Sequence, residues 1–258
     1  MKVWINVIAV LAFVGTLVAG KLYWDERTSA ESIATPTPVT QASSTSPQKN
    51  WASYTGNLSK EVVEKLKVAS ETGNPIKIVM VGSQDTSKEN NAWPALVEKE
   101  LMNKYGSDLI TVEVQEYDQD TTLQFVKNQS YEKIIAAQPD VLIFEPFLAN
   151  DNGVVGITNT LDNLSVIMTR VESQVDDLVT IIQPSHPIYN AINYPKEAEQ
   201  LKAFADESGY EYINHWEKWP KATSEELLTY LTEEKDAPSI KGNKAWAEAV
   251  IEYWINEK

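Results

Sequence analysis

From about residue 58 onward the chain alternates short apolar runs with longer stretches whose apolar residues recur every three or four positions. The runs read as strands and the periodic stretches as helices. The pattern predicts a helix over Leu58–Thr72, with Val62, Val63, Leu66 and Val68 on its apolar side, and a strand over Ile76–Val81 (IKIVMV). It then predicts a helix over Trp93–Tyr105, a strand over Leu109–Tyr117, a helix over Thr121–Gln138 and a strand over Asp140–Phe144. Helix Val154–Ser173, strand Leu178–Gln183, helix Glu197–Ser208, strand Tyr210–Asn214 and helix Asn243–Ile255 complete the series.

The first and third strand runs are apolar nearly throughout, as strands covered on both faces must be. Strands alternating with helices predict a parallel sheet between two helical layers. Right-handed crossovers leave few arrangements. The expected fold is therefore α/β: a three-layer α/β/α sandwich with a five-stranded parallel, flavodoxin-like sheet in the order 2-1-3-4-5. In such sheets ligands bind beyond the carboxyl ends of the strands, near the switch between the first and third. The loops of interest are thus Gly82–Asn91, Asp118–Asp120, Glu145–Gly153, Gln183–Tyr189 and Asn214–Pro220.

The N-terminus follows a different pattern. Val3–Gly20 is almost wholly apolar, with Lys2 before it and Lys21 after it. Eighteen residues lie at the short end for a spanning helix. Residues 1–22 are read as a membrane anchor; the small-residue end Val18-Ala19-Gly20 keeps a cleaved signal peptide as the alternative. Residues 23–52 are rich in Ser, Thr, Ala, Pro and Gln without periodicity and are expected to be a flexible linker. The folded domain is then 53–258. In either reading it lies outside the cytoplasm, tethered to the membrane in the first and secreted in the second.

Charge and composition narrow its partners. The whole chain carries a formal net charge of −15, and its first 50 residues hold four basic and three acidic groups, so the remainder carries −16. A surface that acidic repels phosphate backbones, which argues against nucleic acid as a partner. There is no cysteine, which excludes disulfides, thiol catalysis and Cys-type zinc sites. The chain has only two histidines, His186 and His215, so a His-rich metal site is not available; no metal and no cofactor is expected.

Several loop segments carry a family resemblance. Lys77–Thr86 (KIVMVGSQDT) resembles the first block of the SGNH/GDSL hydrolases, hydrophobic-Gly-Asp-Ser. Pro139–Phe144 followed by Asn150-Asp151 resembles the third block, a strand ending in Gly-x-Asn-Asp. Pro238-Ser239-Ile240-Lys241-Gly242 ahead of Trp246-Ala247 resembles the last block, Asp-x-x-His-Pro-Asn-x-x-Gly. The resemblance spans nearly the whole folded part, in order. It is similar in particular to a group of exported Bacillus-type proteins sharing the Glu145–Gly153 and His215–Pro220 segments.

The resemblance implies an esterase fold acting on or binding acylated cell-envelope glycans. It also implies a depleted catalytic set. The nucleophile position is Gln84, and Ser83 stands where the family has aspartate. The second-block glycine falls at Gln119, whose backbone N–H survives as an oxyanion donor. The oxyanion asparagine is Asn150. The base position is Ala237, and that of its aspartate partner is Glu234. Without a nucleophile and its base the two-step acyl transfer cannot run.

Three readings follow. In the first, a retained pocket of Ser83, Gln84, Gln119, Asn150 and Asp151 binds a sugar or acylated glycan, since amides and carboxylates suit sugar hydroxyls. In the second, an esterase works with a rearranged set: Ser83 with His186 or His215, the histidine oriented by Glu145, Asp151 or Asp236. His186 follows the fourth strand, roughly 10 Å from the first, and His215 the fifth, roughly 14 Å away, so His186 is the better placed. In the third, the chain is an unrelated flavodoxin-like module, although the Gly82 loop lacks a phosphate cradle. Structural roles compete at each position: Ser83 as a helix cap, Asn150 and Asp151 as turn stabilisers, both histidines as packed loop residues, and Trp93, Trp219 and Trp246 as core.

Overall fold

The computed structural model describes residues 50–256. The expected anchor, and the expected linker apart from its last three residues, lie outside them. Among the described residues no helix is long and apolar enough to cross a membrane.

The main elements are α1 (Lys60–Thr72), β1 (Ile76–Gly82), α2 (Trp93–Lys104), β2 (Ile110–Glu116), α3 (Thr122–Lys127), α4 (Tyr131–Ala137), β3 (Val141–Phe144), α5 (Leu148–Asp151), α6 (Ile157–Glu172), β4 (Val179–Ile182), α7 (Tyr194–Ser208), β5 (Glu211–Tyr212) and α8 (Ile240–Trp254). All five strands are parallel, in the order β2-β1-β3-β4-β5, as the alternation predicts.

Alternate residues of the central strands β1, β3 and β4 build two separate cores, which is why their sequence runs are largely apolar. Ile78 and Met80 of β1, with Ile143 and Ile181, pack against α1, α2 and α8 through Leu66, Leu101, Trp246 and Trp254. Val79 and Val81, with Leu142, Phe144 and Ile182, face the opposite way onto Phe125, Leu164, Ile167 and Leu201 of α3, α6 and α7. Each such aliphatic or aromatic side chain contributes roughly 1.5–3 kcal/mol on burial.

Local signals set the helix ends. Ser59 caps α1, its side chain accepting from the Val62 N–H, and Gly73 stops the helix at φ 74°.

Three predicted elements differ. The single helix Thr121–Gln138 is two, because Gln129 adopts φ 53° and turns the chain between α3 and α4. A non-glycine residue in that conformation leaves no breaker in the sequence. The fifth strand shrinks to Glu211–Tyr212, paired only to Ile181 and Ile182 at the sheet edge. Short 3-10 helices at Gln84–Thr86 and His215–Lys218, and α5 within the third loop, stand where loops are expected, and a further one spans Glu225–Tyr230.

Candidate functional site

The carboxyl ends of β1, β3 and β4 bring together Gly82–Asp85, Glu145 and Ser185–His186. Glu145, at the end of β3, is fully buried. Its Oε2 accepts from the Ser83 N–H at 2.7 Å and from Ser83 Oγ at 2.8 Å, and its Oε1 accepts from Ser185 Oγ. Burial, and then the charge of Asp85, push this carboxyl up to about 7 against those hydrogen bonds. Gly82 makes the approach possible: a Cβ there would lie 2.6 Å from Glu145 Oε2 and 2.1 Å from Thr86 Oγ1.

Ser83 is 1% exposed and committed to Glu145. Its Oγ also accepts from the Asp85 N–H at 3.3 Å, capping the 3-10 helix. The hydroxyl therefore points into the fold and makes no hydrogen bond to either histidine, which removes the Ser83–histidine pair from the second reading.

His186 is paired with Asp85, a residue the sequence reading did not consider; Glu145, Asp151 and Asp236, the expected orienting groups, do not hold it. Asp85 Oδ2 accepts from His186 Nδ1 and from its backbone N–H at 3.3 Å. Both side chains are buried. With Nδ1 held by the carboxylate, Nε2 is the nitrogen left for the cleft. Burial opposes charge on the ring, but Asp85 foremost, with Glu145 and Asp236 behind it, raises the His186 pKa overall.

His186 lines an open cleft of about 350 Å³ together with Gln84, Gln119, Asn150, Lys235 and Asp236. None of the cleft-lining side chains carries a hydroxyl or thiol. Gln84 and Asn150 form a reciprocal amide pair, with N···O distances of 3.3 and 3.4 Å. Asn150 Nδ2 also donates to the Asp120 carbonyl at 2.9 Å. Asn150 thus stands at the cleft as expected, but its N–H groups serve the chain and hold Gln84. The Gln84 N–H is likewise spent, on the Asp118 carbonyl at 2.8 Å. The Gln119 N–H makes no hydrogen bond among the described residues.

Asp151 is not a pocket residue. It is 1% exposed and accepts from the Thr122 N–H at 2.9 Å, Thr122 Oγ1 at 2.5 Å and Thr160 Oγ1 at 2.6 Å, which ties α3 and α6 to the third loop. His215 is structural too. It is fully buried and stacks on Trp246 with ring centroids 3.9 Å apart, and Trp246 stacks on Trp93 at 5.3 Å. Its Nε2–H donates to the Pro184 carbonyl at 2.8 Å, and burial lowers its pKa to about 3, so the ring is neutral. Trp93, Trp219 and Trp246 are core residues. Ala237, expected at the base position, lies in a hairpin turn, its carbonyl bonded by the Thr232 N–H at 2.9 Å, and Glu234 is exposed. Asp236 is the acidic group this segment does bring to the cleft, beside Lys235. Among the described residues no group of three or more His, Asp and Glu side chains could hold a metal ion.

Similar solved structures share this architecture. A catalytic mutant of an acetylxylan esterase from Geobacillus stearothermophilus matches with TM-score 0.56 at 16% identity, over 71% of this chain and 97% of its own. A GDSL-like lipase from Bacteroides thetaiotaomicron matches with TM-score 0.52 at 12% identity, over 72% of this chain and 94% of its own. An acetyl xylan esterase matches with TM-score 0.54 at 12% identity, over 68% of this chain and 98% of its own. No family model and no curated protein matches the chain. At such identities the likeness shows the fold, which is that of the SGNH/GDSL esterases.

Proposed function

We propose that this SGNH-like domain is held at the outer face of a cell membrane and recognises an acylated glycan of the cell envelope, without forming an acyl-serine intermediate. The observation that carries the reading is the Gln84–Asn150 amide pair at the mouth of the cleft. An amide stands where the fold's nucleophile is expected, and among the described residues no hydroxyl lines the space. Amide and charged groups suit sugar hydroxyls and an ester carbonyl. Acetylxylan esterases among the similar structures support an acylated polysaccharide as the ligand class. The apolar Val3–Gly20 segment and the polar stretch after it support a tether.

Two measurements test this on the full chain. A fluorophosphonate probe should leave it unlabelled, and calorimetry should detect an O-acetylated oligosaccharide binding more tightly than its deacetylated form. Labelling of any serine, or equal affinity for both sugars, would overturn the reading.

A further inference from the structure

The Asp85–His186 pair has no role in simple recognition. A buried carboxylate fixing one ring nitrogen of a histidine, with the other left to a polar cleft, is an arrangement for moving protons. It costs the fold something: Asp85 Oδ1 is buried without a hydrogen-bond partner. The pair is also detached from Ser83 and Ser185, which both donate to Glu145. A base in a cleft without a hydroxyl has solvent water as its available nucleophile.

The geometry points to His186 as a general base that directs water onto the ester carbonyl of a cleft-bound acyl group, with Asp85 as its positioning residue. This rests on the acylated-glycan reading above. In the step, His186 Nε2 takes a proton from water as the water oxygen bonds to the carbonyl carbon. The carbonyl electron pair moves onto its oxygen. Gln84 Nε2, held by Asn150, and the Gln119 N–H, which makes no hydrogen bond among the described residues, are donors that cleft-lining residues offer to that oxygen. Collapse re-forms the carbonyl and breaks the bond to the sugar oxygen, which leaves with the proton returned by His186. Carboxylic acid and free hydroxyl are the products, and water is the sole co-reactant.

Neutral His186 carries its proton on Nδ1, donated to the Asp85 carboxylate, so Nε2 presents a lone pair to the cleft. Asp85 foremost, then Glu145 and Asp236, favour the imidazolium formed during attack, while Lys235 lines the same cleft and opposes it.

The test follows acetate release from an O-acetylated oligosaccharide by the full chain, with calorimetry on the amide-linked analogue of the same sugar. Wild type should release acetate linearly from the first turnover, with no acetyl adduct on the acid-quenched protein. His186→Gln should lower kcat by about 10²–10⁴ while the analogue still binds. Asp85→Asn should lower kcat and flatten the rise of the rate with pH; that shape change separates positioning from folding damage. If either variant fails to fold, the wild-type pH profile still decides, since kcat must rise through a single ionisation. Analogue binding without turnover, an acetyl adduct, or full activity in His186→Gln would overturn the inference and leave glycan recognition standing. Loss of analogue binding by wild type would instead overturn the recognition reading itself.

Discussion

His186 Nδ1 is bonded to Asp85, two residues beyond Ser83, the serine that a rearranged esterase set would use. The 3-10 helix Gln84–Thr86 creates this relationship. It turns Asp85 back under the fourth-strand loop, while Ser83, one residue before the helix, faces Glu145. One loop thus separates the hydroxyl from the base.

Ser83→Ala should therefore alter stability and leave chemistry alone. Removing a buried donor from Glu145 should cost about 1–3 kcal/mol in urea unfolding, with ester turnover per folded molecule unchanged. Abolished turnover would restore serine to the mechanism.

Gly82→Ala should be among the most damaging single-methyl additions to the domain. Its Cβ would meet Thr86 Oγ1 and Glu145 Oε2 well inside contact distance. Overpacking of that kind costs about 1–3 kcal/mol or more, read as a lower urea midpoint. A midpoint equal to wild type would mean that the Glu145 cluster is looser than described.

The pH dependence of stability has a definite sign. Glu145 is held up to about 7 in the fold against an ordinary 4.5, so the folded state binds the extra proton between those values. Its contribution is full at low pH and is lost as pH rises through about 7. His186, also raised, acts in the same direction: what it contributes is present below 6.5 and lost as pH passes its folded value. The unfolding free energy should consequently decline from pH 5 to 8, and Glu145→Gln should flatten the decline. A rise over that range would contradict the buried, proton-binding cluster.

His215→Ala should destabilise without touching the cleft. It removes the ring stacked on Trp246 and the bond to the Pro184 carbonyl, a loss of about 2–4 kcal/mol by thermal or urea unfolding. Affinity for the acetylated oligosaccharide should stay at the wild-type value in the folded fraction; a loss would place His215 in the site.

The sheet is legible in the sequence because β1 and β3 bury both faces, which forces nearly continuous apolar runs such as Ile76–Val81, interrupted only by Lys77. Crossover handedness narrows the strand orders to a few, of which the flavodoxin-like order is the one expected. The edge strand was less legible: outside its two paired residues the Tyr210–Asn214 run has apolar character but no ladder. Gln84, Gln119, Asn150 and His186 come together at one cleft because each follows a strand at the carboxyl edge of the sheet. Asp85 was missed because a 3-10 turn reverses a side chain without any glycine or proline to announce it. Asp151 was misassigned because a buried carboxylate serving two threonines looks, in sequence, like one serving a ligand. A signal did exist for Asp85: it is an acidic residue one short turn past the first strand, in a chain with only two histidines to orient.

In the proposed function, the cleft built around Gln84 reads an acyl group on a sugar. The most direct measurement is thermal unfolding of the full chain in a large excess of O-acetylated oligosaccharide, with the deacetylated sugar as control and Gln84→Ala beside wild type. A ligand at 100 times its Kd stabilises by about 2.7 kcal/mol, a shift of several degrees. The expected result is that shift in wild type with the acetylated sugar alone, and its loss in Gln84→Ala. Equal midpoints with both sugars, or a shift that survives in Gln84→Ala, would contradict the claim.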